Sequence, residues 1–163
     1  MIKLDHSDSS INYIHRVMTE PYVQRWMIKH NKGPAGFVRM IDALRDGSSE
    51  FFVPVLEKDN AQTALGLVWG EGVASSTFSG NIAFFKDVWG PLAFRGAQQV
   101  EDHLATRYDS IIGYVDANNN KSFGFMKRLG YEVTASREID NLIHFMVRKY
   151  LNGNSTRFCK KDS

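Results

Sequence analysis

The stretch ANNNKSFGFMKRLGYEV, residues 117–133, combines short polar side chains with a helical pattern and a glycine stop. Asparagines 118–120 follow an apolar strand pattern and precede the helical one. Amide side chains at such a position accept hydrogen bonds from the unpaired N–H groups of a helix's first turn. Gly130 is a natural left-handed helix stop before Tyr131. The turn can therefore cap a helix, hold a ligand beside it, or do both.

The composition indicates one globular domain. The chain has 163 residues, of which 43 % are hydrophobic, and this is enough to bury a single core. We expect that domain over residues 1–150 and a polar, basic, solvated tail over residues 151–163. Cys159 is the only cysteine, so no disulfide forms within the chain, and a reducing, cytoplasmic location fits best.

Several classes of function find no support in the sequence. The net charge of +2 is far from the concentrated basic patch of a nucleic-acid-binding protein. No long apolar run predicts a membrane span or a secretory leader. Neither HExxH, paired cysteines nor a close His/Asp cluster occurs, so we expect no metal site.

The first third of the chain predicts a short strand followed by helices. Residues 2–4 alternate in polarity, and Ser7 or Asp8 can cap a first helix. A second helix is predicted over residues 21–27, because proline is tolerated in a first turn and Thr19 can supply the cap.

In that second helix, Tyr22 and Trp26 are expected to face inward. A break at residues 31–34 then precedes a third helical pattern over residues 37–44, and Asp46 followed by glycine ends it. The first third is therefore mostly helical.

The period changes to strand-like from residue 51. Residues 51–57 and 63–71 predict a hairpin, and residues 80–89 predict a third strand that completes an antiparallel meander. After it come a helix over 97–108, a strand over 110–115, the helix of the asparagine turn, and two last strands within 131–147.

The asparagine turn resembles a motif of the GNAT superfamily of acyl-CoA N-acyltransferases. The matching residues are Asn119, Ser122 and the triplet Leu129-Gly130-Tyr131, and the order of elements before them is similar too. The resemblance implies an α/β (α+β) fold whose mixed, mostly antiparallel central sheet is flanked by helices and splayed between its fourth and fifth strands.

The same resemblance implies a binding site for acetyl-CoA between those strands, near residues 82–88 and 111–116. Unpaired N–H and C=O groups along a splay can bond to the pantetheine amides as an added strand does. The residues implied to contact the cofactor are Phe85, Lys86, Val88, Phe94, Arg95, Gly96, Ala97, Asn119, Ser122 and Phe125.

Arg95 and Gly96 match the start of the family's pyrophosphate loop, whose glycines let backbone N–H groups approach phosphate at a helix start. Gln98 and Val100 replace the later glycines. A modified loop would use the N–H groups of residues 94–98, with Arg95 supplying charge. In the alternative, Gly96 is only a helix-entry residue.

Met126 stands where many members of the family carry the tyrosine that protonates the leaving thiolate. A thioether donates no proton. Another group or water must then protonate the thiolate, or the protein does not catalyse acyl transfer.

Attack by an amine on a thioester requires a base near the splay. Glu71 is the first candidate and Asp87 the second, since both lie towards strand ends. Asp116 also ends a strand, and His103 is a lone histidine on the long helix. The resulting hypothesis is an acetyl-CoA-dependent N-acetyltransferase acting by direct transfer on a primary amine of a small molecule or protein.

A second hypothesis is a catalytically degenerate GNAT-fold protein that acts through a protein partner. Residues 80–90, GNIAFFKDVWG, and the compact LGY ending resemble acetyltransferase-like proteins encoded by tailed bacteriophages, including ones among head-assembly genes. The expected role is then virion assembly, for example of the head, or modification of the host, in the host cytoplasm. Under either hypothesis, edge strands near the C terminus would allow pairing of two protomers into a homodimer.

Overall fold

The computed structural model describes residues 1–27, 29–74 and 76–151, and a mixed sheet runs through them. The strands are β1 (Ile2–Lys3), β2 (Glu50–Val53), β3 (Val55–Lys58), β4 (Ala61–Ala64), β5 (Gly66–Ala74), β6 (Thr77–Phe84), β7 (Ser110–Asp116), β8 (Glu132–Ile139) and β9 (Leu142–Tyr150). The helices are α1 (Asp8–Met18), α2 (Pro21–Trp26), α3 (Gly33–Arg45), α4 (Pro91–Leu104) and α5 (Asn120–Arg128), and Lys29–Asn31 and Lys86–Val88 form 3-10 turns.

The main sheet has seven strands in the order β1-β2-β5-β6-β7-β9-β8. Neighbouring strands pair antiparallel except β6 and β7, which pair parallel across the α4 crossover. The predicted fold class, a mostly antiparallel central sheet flanked by helices, is confirmed. No helix of the described residues is long and apolar enough to cross a membrane. The predicted tail lies outside the described residues beyond Leu151.

Local signals position the N-terminal helices. The Ser7 hydroxyl accepts the N–H of Ser10 and caps α1, as predicted. The prediction that Thr19 caps α2 is wrong, because its hydroxyl donates to the His15 carbonyl while Glu20 occupies the cap position. Trp26 is exposed, contrary to prediction: it is the last residue of α2, and the Arg25 guanidinium lies 5.0 Å from its ring centre.

The predicted hairpin divides at Pro54. β2 pairs with β5 in the main sheet, whereas β3 and β4 form a separate two-stranded sheet. Proline lacks the N–H that a central strand needs, and its carbonyl instead accepts the N–H of Leu65 at 2.9 Å. Asp59 and Asn60 both have positive φ, as a tight two-residue hairpin turn requires.

The third predicted strand is shifted along the chain. β6 starts at Thr77 and ends at Phe84, and the predicted strand residues after it turn away. The N–H of Phe85 still donates to the Leu65 carbonyl, but the N–H of Val88 then turns back to the Phe85 carbonyl at 3.1 Å. Local 3-10 bonding thus replaces the ladder before α4 begins.

α4 packs closely on one face of the sheet at Gly96. A Cβ at this position would lie 2.8 Å from a ring carbon of Phe84, 3.2 Å from Leu65 and 3.3 Å from Pro54. The opposite face is buried as well, since Leu67 lies in the core and Tyr13 of α1 donates its hydroxyl to the Gly66 carbonyl at 2.7 Å. The middle of the sheet is therefore covered on both sides.

We expect Gly96→Ala and Gly124→Ala to change stability in opposite directions. Both glycines lie in helices, where alanine is favoured by about 1 kcal/mol. At Gly124 no atom lies within 4 Å of the new methyl group, so stability should rise. At Gly96 overpacking of about 1–3 kcal/mol outweighs that gain. Urea denaturation of both variants measures the difference, and a stabilised Gly96→Ala would contradict the close packing.

Candidate functional site

The β6 and β7 strands separate soon after they meet. They share three residue pairs, the last of which is Ser79 with Ile112. Beyond this point β6 continues to pair with β5 as far as Phe84, while β7 continues to pair with β9 as far as Asp116. The facing edges of β6 and β7 are therefore left without each other's hydrogen bonds, which is the predicted splay.

A narrow cleft lies beneath the splay on the side that α4 covers. Its volume is about 50 Å³. α4, α5 and the strands supply a mostly apolar lining, which includes Phe78, Ile82, Val100, Leu104, Met126 and Tyr131. Met126 thus faces the splayed region, where it offers a thioether and no proton.

The asparagine turn caps α5. The Asn119 side-chain oxygen accepts the N–H of Ser122 at 3.1 Å, and the Asp116 carboxylate accepts the N–H of Asn118 at 2.8 Å. Asn119 is only 8 % exposed. Capping therefore accounts for Asn119, and Asp116 has a turn-forming role.

Three aromatic rings meet where α4, α5 and the end of β6 come together. The Phe125 ring centre lies 5.9 Å from that of Phe84 and 6.5 Å from that of Phe94, both edge to face. At the start of α5 the Lys121 ammonium lies 5.3 Å from the ring centre of Trp89. Trp89 lies two residues before Pro91, where α4 begins, so this ammonium is near the N terminus of α4.

The prediction that residues 94–98 form a pyrophosphate-binding loop is wrong. α4 begins at Pro91, which puts Arg95, Gly96 and Ala97 in its second turn. The N–H of Phe94 already donates to the Gly90 carbonyl at 3.1 Å, and the N–H groups after it belong to the helical ladder. Gly96 and Ala97 are buried against the sheet, while Arg95 is exposed.

The two predicted bases lie far apart. Glu71 is exposed and pairs with Ser79, so it lies beside the last β6–β7 pair. Asp87 is exposed in the 3-10 turn beyond β6, between exposed Lys86 and buried Val88. The extended part of β6 from Ser79 to Phe84 alone spans about 17 Å, and Asp87 lies beyond it. The structure does not bring the two carboxylates into one site.

A wide groove lies at the C-terminal end of β6. It has a volume of about 710 Å³, and α1, α2, β4 and the 3-10 turn after β6 line it. Its lining consists of Arg16, Glu20, Tyr22, Gln62, Thr63, Ala64, Phe85, Lys86 and Asp87. Sequence reasoning selected Phe85, Lys86 and Asp87 and missed the others, since no motif links them.

Tyr22 connects the groove to the splay. Its hydroxyl donates to the Phe84 carbonyl at 2.8 Å, and its ring meets Trp89 edge to face at 5.6 Å. Burial raises the pKa of Tyr22 to about 12, and the charges of Glu20 and Asp87 add to the shift. Tyr22 is therefore a neutral phenol near two carboxylates.

A buried ion pair lies against the floor of the narrow cleft. The Lys149 ammonium is 2.5 Å from one Glu101 oxygen, and the other Glu101 oxygen is buried without a hydrogen-bond partner. Burial raises the pKa of Glu101 although Lys149 opposes the shift. Burial also raises the pKa of Tyr131, and the Glu101 charge contributes. Sequence reasoning did not select Glu101, which looks like an ordinary helix carboxylate.

His103 has a packing role. Its ring lies 5.3 Å from that of Phe52, and burial, together with the charge of Arg107, lowers its pKa. The described residues contain no group of three or more His, Cys, Asp and Glu side chains that could hold a metal ion.

Neither a protein-family model nor a curated protein matches the sequence. Solved structures match the fold. The chain is similar to spermidine N-acetyltransferase from Vibrio cholerae, solved in complex with CoA and spermine, with a TM-score of 0.72 and 12 % identity over 92 % of this chain and 95 % of that one. It is also similar to ribosomal-protein-S5-alanine acetyltransferase from Vibrio fischeri, with a TM-score of 0.66 and 15 % identity over 93 % and 92 % of the two chains.

A domain from Methanocaldococcus jannaschii DSM 2661 matches equally well, with a TM-score of 0.72 and 15 % identity over 92 % of this chain and 97 % of that one. The protein therefore has the fold of the GNAT acetyltransferases, as the asparagine motif predicted. At these identities the likeness establishes the fold, and the chemistry has to be argued from this chain's own residues.

Glu101→Gln tests the buried pair through the pH dependence of stability. Because burial raises the pKa of Glu101 above its ordinary 4.5, the folded state holds this proton more tightly than the unfolded state. The resulting stabilisation is present below pH 4.5 and is lost as the pH rises through the folded pKa. Relative to wild type, the free energy of unfolding of Glu101→Gln should therefore rise between pH 4.5 and neutrality, as urea denaturation would measure.

Glu50→Gln is the matched control. Burial opposes ionisation of Glu50, but Arg107 and Lys3 outweigh it and lower its pKa below the ordinary 4.5. Its stabilisation is present above pH 4.5 and lost as the pH falls. The stability of Glu50→Gln relative to wild type should then decline as the pH rises towards 4.5. If the stability of both variants relative to wild type changed with pH in the same direction, the opposite pKa shifts of Glu101 and Glu50 would be contradicted.

Proposed function

We propose that the protein is an acetyl-CoA-dependent N-acetyltransferase that transfers the acetyl group directly to a primary amine. The observation that carries this proposal is the early separation of β6 from β7 in a fold shared with N-acetyltransferases. The splay supplies two rows of free backbone N–H and C=O groups, and pantetheine has amides that can bond to them. The acyl thioester would then lie at the splay.

The residues present fit such a cofactor with one change from the sequence-based expectation. Phosphate would bind at the first turn of α4, where the N–H groups of Leu92 and Ala93 have no helical partner. Arg95 lies a turn too far along α4 to supply the charge there. Lys121 supplies it instead, because its contact with Trp89 brings the ammonium near the start of α4.

Glu71 is the proposed base. It is exposed beside the last β6–β7 pair, and from there its carboxylate can take the amine's proton through a water molecule. The amine nitrogen then attacks the thioester carbonyl carbon, the C–S bond breaks, and the acetyl group remains on nitrogen. Because Met126 has no proton to give, water protonates the thiolate. Backbone N–H groups of the splay polarise the carbonyl.

Two observations favour a second function, a GNAT-fold protein without catalysis that acts through a protein partner. The segment expected to form the pyrophosphate loop is helix, and the expected acid is a thioether. Under this alternative we propose the bacteriophage virion-assembly role that the sequence resemblance implies. Failure of the chain to bind acetyl-CoA would favour it.

Acetyl-CoA titrated into the protein in a calorimeter should bind at one saturable site. Lys121→Gln should weaken this binding about tenfold, because a charge-assisted contact to phosphate is lost. Lys127→Gln is the matched control, since Lys127 lies on the same helix and stacks at 5.0 Å on Phe123. Equal weakening in both variants would exclude a phosphate contact by Lys121.

Asn119 variants separate capping from cofactor contact. Asn119→Ala should lower stability by about 1 kcal/mol through loss of the α5 cap, whereas Asn119→Asp retains the cap. If the amide also contacts the cofactor, both variants bind acetyl-CoA more weakly in the same calorimetric titration. Full affinity in Asn119→Asp would leave Asn119 with its capping role alone.

Glu71→Gln should lower kcat by about a hundredfold, the size of a general-base contribution, with acetyl-CoA affinity unchanged. The assay follows CoA release in the presence of a primary amine. Glu132→Gln, an exposed carboxylate on β8, is the control. An unchanged kcat in Glu71→Gln would remove Glu71 from the mechanism.

A further inference from the structure

The wide groove holds charges of both signs that do not neutralise each other. Arg16 and Lys86 supply two cations, and Glu20 and Asp87 supply two carboxylates. The salt bridges of the described residues are Lys3–Glu50, Arg107–Glu50 and Lys149–Glu101. None of these salt bridges involves a groove residue. The four charged groups of the groove are therefore available to bind a ligand.

Aromatic packing holds the walls of this groove. The Arg16 guanidinium lies 5.0 Å from the ring centre of Phe85, and the Tyr13 ring meets Phe85 edge to face at 6.2 Å. Phe85 is itself buried, and Tyr22 is anchored on the Phe84 carbonyl. The Arg16 guanidinium is therefore held against Phe85, the residue that follows β6.

The carboxylates of Glu20 and Asp87 line the same groove as these cations. Tyr22 lines the groove together with both carboxylates, and the charges of Glu20 and Asp87 act on its hydroxyl. A ligand ammonium near Tyr22 would meet negative charge there, and a ligand anion near Phe85 would meet Arg16. A polyamine would be repelled by Arg16 and Lys86, and a dianion by Glu20 and Asp87.

From this arrangement we infer that the groove binds a small zwitterionic amine, of amino-acid or short-peptide size, with its ammonium between Glu20 and Asp87 and its carboxylate on Arg16. The volume of about 710 Å³ falls within the range of about 300–1,000 Å³ that small-molecule sites occupy. The site does not depend on the proposed function, because Glu71 and Asp87 lie at opposite ends of β6 and the bound amine is not assigned as the acetyl acceptor.

The test uses three probes of similar size with the full chain: L-alanyl-L-alanine, its C-terminal amide, and spermidine. Binding is followed through the backbone amide resonances of residues 85–87 and by calorimetry. The dipeptide should bind and shift these resonances. Its amide, which lacks the carboxylate, should bind about tenfold more weakly, and spermidine should bind more weakly than the dipeptide.

Two variants test which charged side chain of the groove contacts the carboxylate of the ligand and which contacts its ammonium. Arg16→Gln should remove the difference between the dipeptide and its amide, because the carboxylate loses its partner. Asp87→Asn should weaken both probes, since both carry the ammonium. Arg39→Gln, an exposed arginine on α3, is the control and should change neither affinity.

The outcomes separate this inference from the proposed function. Tighter binding of spermidine than of the dipeptide, equal affinity for the dipeptide and its amide, or no binding of any probe overturns the zwitterion site, whether or not acetyl-CoA binds. Dipeptide binding without acetyl-CoA binding supports the site and overturns the transferase. Dipeptide binding together with acetyl-CoA binding supports both.

Discussion

The early end of the β6–β7 pairing is the constraint on which the rest of the structure depends. Beyond Ser79 and Ile112 each strand keeps one partner only. Backbone N–H and C=O groups along the facing edges need partners other than strand neighbours, since unpaired buried polar groups are costly. The gap is thus suited to water or to a ligand that carries amides. α4 and α5 are brought together over it by the three-ring cluster around Phe125.

Structural requirements explain several residues that also match the family motif. Asn119 is needed to cap α5, and Gly96 is needed because a methyl group there would collide with Phe84. Both roles exist without any cofactor. A motif residue in this fold is consequently weak evidence for chemistry, and stronger evidence comes from groups with no structural partner.

Charges in the protein divide into two kinds. Glu101 and Lys149 are paired in the interior, where burial decides the pKa of the carboxylate. The four charges of the wide groove are solvated and unpaired in the described residues. The Glu101–Lys149 charges are partnered within the protein, whereas the charges of both signs around the groove form no salt bridge in the described residues and are available to a ligand. The groove adjoins the end of β6, and the same strand forms one edge of the splay.

The sequence by itself determined the features that depend on neighbouring residues. Ser7 as a cap, the end of α3 at Asp46, and the cap–helix–stop pattern from Asn119 to Gly130 involve contacts within a few positions, so spacing and residue type were sufficient. The fold was predicted through the resemblance of this motif, and of the order of elements before it, to the GNAT superfamily.

Only the tertiary structure decided where the site residues meet. Arg95 matched the start of a pyrophosphate loop in sequence. In the structure α4 already begins at Pro91, and Gly96, the residue after Arg95, is buried against the sheet. Arg16, Tyr22 and Asp87 come from segments far apart in the chain and converge because strand register and helix packing bring them to one end of β6. Such convergence depends on long-range contacts, which no short pattern records, and this is why the groove was missed.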